Sequence, residues 1–373
     1  MSRAKLIIAS SEVSADQLYA TKFRAPDEFV FLQTGEKRLL LLSDLEVDRG
    51  RREAAVDRVD AYSEVEREMR GTKRKRPSHA RVVAAWLRAN RARSLTVPQD
   101  FPLGLARDLK WEGIRLKPAK GPLFPGRETK SRAEVRAIES AIRIAEAGMA
   151  RAMELLESAQ PRRDGRLAIG RRILTSEALR MEIETAVVRA GGEAKGDTIV
   201  AGGEQACDPH GRGTGPLRAN ELIIVDIFPR DARSGYFGDI TRTVVRGKAS
   251  AAQRRLWKTC LAGQEIALQH MKPGHQGGPV HEAIKEFFSS KGYPTEIRDG
   301  RWQGFFHGTG HGLGLEVHEP PRFAVATFRP GQVLTVEPGI YIPGLGGVRH
   351  EDVAVVTARG PRLLTRAPKP LEI

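Results

Sequence analysis

Three of the chain's nine histidines, His307, His311 and His318, fall within the twelve residues HGTGHGLGLEVH, together with four glycines. Imidazoles bind metals and exchange protons near neutral pH, so this cluster is a candidate for metal-assisted or acid-base chemistry. A pair at i and i+4 would suit a helical metal site, but Gly308, Gly310, Gly312 and Gly314 would each cost a helix roughly 1 kcal/mol relative to alanine. The spacing therefore predicts an extended or turning backbone that something, a metal, a substrate or both, approaches closely.

Carboxylates stand where buried strands would not tolerate them cheaply. Leu222-Ile223-Ile224-Val225 is apolar enough for the middle of a sheet and runs straight into Asp226. In Asp239-Ile240-Thr241-Arg242-Thr243 the alternation of a strand puts Asp239, Thr241 and Thr243 on one face. A third strand ends on Glu337 before Pro338, and Val348-Arg349-His350-Glu351-Asp352 sets Arg349 and Glu351 on one face, His350 and Asp352 on the other. A buried carboxylate is costly unless paired or metal-bound. Taken singly, each acid reads as a turn former or ion-pair member. Four of them with a glycine-embedded histidine in one region form the set that two divalent ions about 3.5–4 Å apart require, mostly oxygen ligands with one or two imidazoles.

The elements that must position these groups are readable from periodicity. Residues 4–9, 28–33, 37–42 and 94–97 read as strands and 78–91 as a helix, a small α/β domain. Lys117 to Glu128, with three prolines and two glycines, reads as an interdomain connection. This places an N-terminal α/β domain at 1–120, a linker at 121–128 and a catalytic domain at 129–373. In the latter, helices are expected over 130–158 and 176–189, strands over 198–201, 221–227 and 239–245, helices from Ser250 (with Gln253 as a capping box) to before Pro273 and over 279–290, then strands over 333–337 and 347–356. Two helices, strands, two helices, strands suggests an internal duplication without a residue-level repeat.

Length and composition bound the function. A chain of 373 residues suits two domains, each with its own core. Two cysteines, Cys207 and Cys260, and no signal peptide or membrane-length apolar run point to a cytoplasmic protein without a disulfide scaffold or membrane partner. Cys207 reads as a small packed residue, and Trp302 with Phe305-Phe306 as core or pocket wall. The net charge of +15 concentrates between Arg49 and Arg93, including Lys73-Arg74-Lys75-Arg76-Pro77. No aromatics interleave with the run Lys73 to Pro77, so it reads as a solvated surface turn rather than a nucleic-acid patch.

The pieces VDI, GDITRT, HGTGHGLGLEVHEPP, VEPGIY and GVRHED, in this order, resemble the metallopeptidases of the pita-bread fold, in their proline-specific branch of Xaa-Pro aminopeptidases and prolidases. The resemblance runs from about Lys130 to the C-terminus; the N-terminal region resembles the creatinase-type α/β domain only loosely, and the catalytic part would be an α+β pita-bread domain. It implies Asp226 as a bidentate ligand of one ion, Asp239 and Glu351 as bridging ligands, and His311 and Glu337 as completing the second site. It further implies that His210, His307 and Arg349 hold the substrate, that Glu337 takes a proton from the attacking water, and that His318 stabilises the tetrahedral intermediate or relays a proton. It sets His318 next to the scissile bond and His210 on the substrate side, where His210 is also a catalytic candidate. The cofactors implied are two divalent ions, manganese first, with cobalt, zinc or iron as alternatives, and the nucleophile a hydroxide bridging them. The partners implied are short peptides with proline second and a second copy of the chain in a homodimer. His350 departs from the pattern, which has an aliphatic residue there. The rival reading is a catalytically inactive member binding protein or nucleic acid; against it, all five ligand positions are present. An enzyme of the same fold acting on creatine-like substrates is a further rival, ranked lower because such members lack the full ligand set.

Overall fold

The structure, a computed structural model, describes residues 4–70, 76–194 and 196–373. Lys73, Arg74 and Lys75 of the basic run lie outside the described residues; Arg76 at its end faces Glu66 at 3.6 Å. The chain divides into two compact units, Met1–Gly126 and Arg127–Ile373.

The first unit is built on a six-stranded mixed sheet in the order Arg58–Ala61, Lys37–Leu42, Phe29–Thr34, Ala4–Ala9, Ser94–Val97, Arg115–Pro118. The hairpin Phe29–Thr34/Lys37–Leu42 turns at Gly35, whose φ of 61° suits glycine. Alternation splits the central strand between two cores: Leu6 and Ile8 pack with Val83, Trp86 and Leu87 of the helix His79–Ala89, while Ile7 packs with Phe23, Phe31 and Leu40. A sheet buried on both faces explains why these strands read as continuous apolar runs.

The second unit repeats one device twice. The helices Arg132–Ser158 and Ser176–Arg189 cover an antiparallel sheet of Ile199–Gly202, Leu222–Ile227 and Ile240–Val245. The helices Ala251–His270 and Gly277–Ser290 cover the strands Val333–Val336 and Asp352–Thr357 and the hairpin Gly339–Ile342/Gly346–Arg349. Both long helices open with a complete capping box, Ser131/Glu134 and Ser250/Gln253. Period 2 then sorts the strand residues. Ile223, Val225 and Ile227 join the first helix-covered core, whereas Asp226 lies on the opposite face; Ile240 and Val244 join that core, whereas Thr241 and Thr243 face away. Each buried Leu, Ile or Val contributes roughly 1.5–3 kcal/mol, and these rows offset the cost of the acids they carry.

Two expectations are corrected. The strand expected over 347–356 is two strands: Gly346–Arg349 pairs with Gly339–Ile342, while Asp352–Thr357 pairs with Val333–Val336, with His350 and Glu351 at the crossing. Trp302 is no core residue: it is 53% exposed, on the hairpin Glu296–Arg298/Arg301–Gln303 opposite Ile297. The hairpin leaves that side chain on its solvent side, while Phe305 is buried.

Candidate metal centre

All the site residues expected from the sequence converge on the inner face between the two halves of the second unit. They line one open cleft of about 1440 Å³ that includes His210, Asp226, Asp239, His307, His311, His318, Glu337, Arg349 and Glu351. Ligand atoms of Asp239, His311 and Glu351 lie within 4.8 Å of one another. His311 Nε2 is 3.1 Å from Glu337 Oε1 and 3.8 Å from Asp239 Oδ2.

The glycines of the histidine stretch answer to the chain itself. A Cβ at Gly310 would stand 2.0 Å from the Thr335 carbonyl oxygen, and one at Gly312 2.5 Å from that of Glu319. The close approach read from the sequence is thus made by neighbouring strands, which lets His311 sit in a five-stranded sheet beside Val333–Val336. Thr335 then serves two of the site residues: its hydroxyl accepts from the His311 backbone N–H at 3.0 Å and donates to Glu337 Oε1 at 2.9 Å. Glu337 N–H donates to the Thr309 carbonyl at 2.8 Å, and His281 Nδ1 lies 2.8 Å from the Thr309 hydroxyl. Thr241 holds Glu351 through its hydroxyl at 2.7 Å and its carbonyl.

Arg349 Nη2 donates to Asp226 Oδ2 at 2.7 Å, and Nη1 donates to the Tyr341 hydroxyl at 2.9 Å. The Tyr341 hydroxyl is also 2.9 Å from His307 Nε2, while His307 Nδ1 meets the Gly308 carbonyl at 2.9 Å. The partners assign the tautomer: Nδ1–H donates to Gly308, so Nε2 accepts from Tyr341. Burial pushes the His307 imidazole down to about 4, so it is neutral at pH 7. His318 crosses the His311 ring edge-on at 4.2 Å, and burial followed by the His311 charge lowers its pKa. His210 is exposed at the wall.

The acids themselves show what the centre lacks. Burial, then the neighbouring Asp226 charge, raises Asp239 well above the usual carboxylate range; burial, then Asp239, does the same to Glu351. Burial opposes ionisation of Glu337 too, but the His311 hydrogen bond and charge outweigh it and bring the carboxyl to about 2. For His311 burial is outweighed by Glu337, and its pKa rises to about 9. Asp226 Oδ1 is buried without a hydrogen-bond partner among the described residues. Asp239 and Glu351 are thus pushed toward the protonated form, because ionising both would set four carboxylates against one imidazolium and one guanidinium. A divalent cation would take the place of those protons, and it fits the oxygen-rich donor set with one imidazole. Asp226 Oδ2 has a second lone pair besides the one Arg349 uses, so both its oxygens can face an ion.

Comparison with known proteins agrees with this chemistry. The sequence model of metallopeptidase family M24 matches residues 136–358, more than half of the chain. The chain belongs to metallopeptidase family M24. Among M24 relatives, a peptidase YqhT of Bacillus subtilis, itself without an assigned activity, is 40% identical over 48% of either chain, so the match spans about half its length. An Xaa-Pro dipeptidase of Pyrococcus horikoshii is 28% identical over 91% of this chain and 87% of its own. The solved prolidase of P. horikoshii superposes with a TM-score of 0.77 at 27% identity, covering 98% of this chain and 94% of its own. The X-Pro aminopeptidase of Thermotoga maritima, at 24% identity and TM-score 0.82 over 100% and 97%, shares the fold. The second unit is therefore the pita-bread fold of M24, and divalent metal ions are the cofactors of that family.

Sequence reading set Thr241 on the face of Asp239 without giving it a role, and it gave none to Thr335, Tyr341 and Arg322. The first two are visible in retrospect as polar residues inside apolar strands. Arg322 is exposed on the cleft, with no acidic partner among the described residues. Asp352, next to Glu351, takes no part: Arg242 holds it at 2.9 Å, with both side chains buried.

His350 is fully buried against Trp257 at 4.6 Å, and neither ring nitrogen meets a hydrogen-bond partner among the described residues. Burial pushes its pKa down to about 3. A histidine held neutral in the fold but protonated when unfolded near pH 6.5 stabilises fully above that pH and loses stability as pH falls toward the folded value. His350→Leu is accordingly expected to gain about 2 kcal/mol over the wild type at pH 5 and much less at pH 7.5, measured by urea unfolding at the two pH values.

Proposed function

We propose that residues 129–373 form the catalytic domain of a metal-dependent Xaa-Pro peptidase that holds two divalent ions, manganese first, on Asp226, Asp239, His311, Glu337 and Glu351. The observation that carries this reading is the convergence of four carboxylates and His311 on one cleft, with Asp239 and Glu351 crowded enough to be pushed toward the protonated form, in a family M24 chain whose relatives include an Xaa-Pro dipeptidase. When bound, such ions acidify a water and polarise a peptide carbonyl.

The chain's own residues supply the rest. Glu337, ionised and 3.1 Å from His311, receives the proton of the attacking water. His318, on the cleft wall and neutral at pH 7, donates to the oxygen on which charge develops. Arg349 steadies Asp226 and, through Tyr341, the ring of His307, which with His210 presents an imidazole wall to the substrate. An Xaa-Pro bond has no N–H, so an acceptor-lined wall built for ordinary peptides would gain nothing from it, whereas rings such as Phe306 and His307 can pack on the pyrrolidine.

Arg322 favours the dipeptidase form of this activity. An unpaired guanidinium facing the cleft matches the carboxylate that ends a dipeptide. Arg322→Ala is expected to raise KM for Ala-Pro roughly tenfold or more, with kcat little changed, in steady-state assays. The function itself is tested on metal-free protein given Mn2+ and the substrates Ala-Pro, Ala-Pro-Ala and Ala-Ala. Cleavage of Ala-Pro alone agrees with a dipeptidase and cleavage of Ala-Pro-Ala with an aminopeptidase. Cleavage of none of them contradicts the peptidase reading and favours the inactive binding module.

A further inference from the structure

The helix Ala251–His270 buries one face, on which Trp257, Cys260 and Gln264 recur at spacings of three and four. All three point a donor at backbone carbonyls. Trp257 Nε1 donates to Thr243 at 3.0 Å. Cys260 Sγ donates to Pro338 at 3.1 Å and lies 3.5 Å from Val348. Gln264 Nε2 donates to Val336 at 2.8 Å and to His350 at 3.1 Å.

The acceptors are not scattered. Val336 and Pro338 flank Glu337, and His350 precedes Glu351. Strand pairing changes at these same points: one ladder ends at the pair Val336/Asp352 and the next begins at Gly339/Arg349. Residues at such a crossing lose their strand partners, and a buried carbonyl left unpaired is costly. The helix supplies the missing donors, and Gly263 lets it pack closely on the helix Gly277–Ser290, since a Cβ there would stand 2.3 Å from the Phe288 ring.

We propose that Gln264 and Cys260 are positioning residues of the metal centre, clamping the two strand crossings that carry Glu337 and Glu351 and so fixing the separation of those carboxylates. This rests on the reading of Glu337 and Glu351 as metal ligands. Packing alone does not account for Gln264: the side chain is fully buried and its Oε1 has no partner among the described residues, a cost that leucine would avoid. Cys260, also fully buried, keeps its thiol proton for donation because burial pushes the pKa up to about 12.

The test is Mn2+ binding, followed by calorimetric titration of chelated full-length wild type, Gln264→Leu, Cys260→Ala and Cys260→Ser, with thermal unfolding of the same metal-free samples. Gln264→Leu is expected to weaken Mn2+ binding roughly 10- to 100-fold. Cys260→Ser, which keeps a donor, should bind as the wild type does, and Cys260→Ala more weakly, whatever the order of their metal-free melting temperatures. A folded Gln264→Leu with wild-type affinity overturns the proposal. If that variant does not fold, the cysteine pair decides, and equal affinity of the serine and alanine forms overturns it. A wild type that binds no Mn2+ would instead remove the metal-centre reading beneath it.

Discussion

Asp239→Asn and Glu351→Gln should each abolish divalent-metal binding and lower Xaa-Pro hydrolysis on the order of 10³-fold or more, the equivalent of the several kcal/mol that metal ions supply at about 1.4 kcal/mol per decade. The same changes should stabilise the metal-free protein. Asp239 is buried beside Asp226, and its folded pKa is raised. The folded state therefore keeps a proton that the unfolded chain releases above about pH 4, so this group's contribution to stability falls as pH rises through that range. Asparagine has no proton to lose. The stability advantage of Asp239→Asn over the wild type, both chelated, should accordingly grow as pH rises above about 4, as read by thermal unfolding between pH 5 and 8. His311, raised to about 9, adds to the same trend in the wild type, because its stabilisation is complete below about pH 6.5 and is lost as pH climbs through the folded value. A ligand acid whose removal destroys activity yet strengthens the empty fold is the signature of a site strained in favour of its metal.

His318→Ala should separate chemistry from metal binding. The ring touches His311 edge-on but, among the described residues, makes no hydrogen bond or ion pair with the four acids, and it stands at the cleft wall where a substrate carbonyl would pass. Loss of a positioned proton donor costs roughly 10²- to 10⁴-fold, and this loss should fall on kcat. Manganese affinity, measured by titration, should stay near that of the wild type. Parallel loss of metal and activity would place His318 among the groups that hold the ions instead.

The acids that line the cleft were legible because a strand's period of two makes an acid inside an apolar run conspicuous. Asp226 between Val225 and Ile227 is the clearest case. The helices were legible for the related reason that capping boxes and apolar stripes are local. What was not legible depends on partners far along the chain. Nothing in Val348-Arg349-His350-Glu351-Asp352-Val353 marks a break, yet the strand changes partners there: the Thr243 hydroxyl and Gln264 donate to the carbonyls of Arg349 and His350, and the Glu351 N–H donates to the Thr241 carbonyl. Gln264 reads as an ordinary helical residue until the apolar face is drawn and the glutamine found upon it. Trp302 misled because a large aromatic beside Phe305 and Phe306 suggests a core, and only the hairpin's register shows which side it takes. The glycines of the histidine stretch pointed to close approach, but sequence could not say that the visitor was the protein's own backbone.

The most direct test is to strip the protein with chelator and return Mn2+ in measured increments while following both bound metal and release of proline from Ala-Pro. The account predicts no cleavage without metal, two ions bound per chain at saturation, and activity that rises with their occupancy. Full activity in the chelated protein, or saturation with manganese that leaves Ala-Pro uncut, would contradict it.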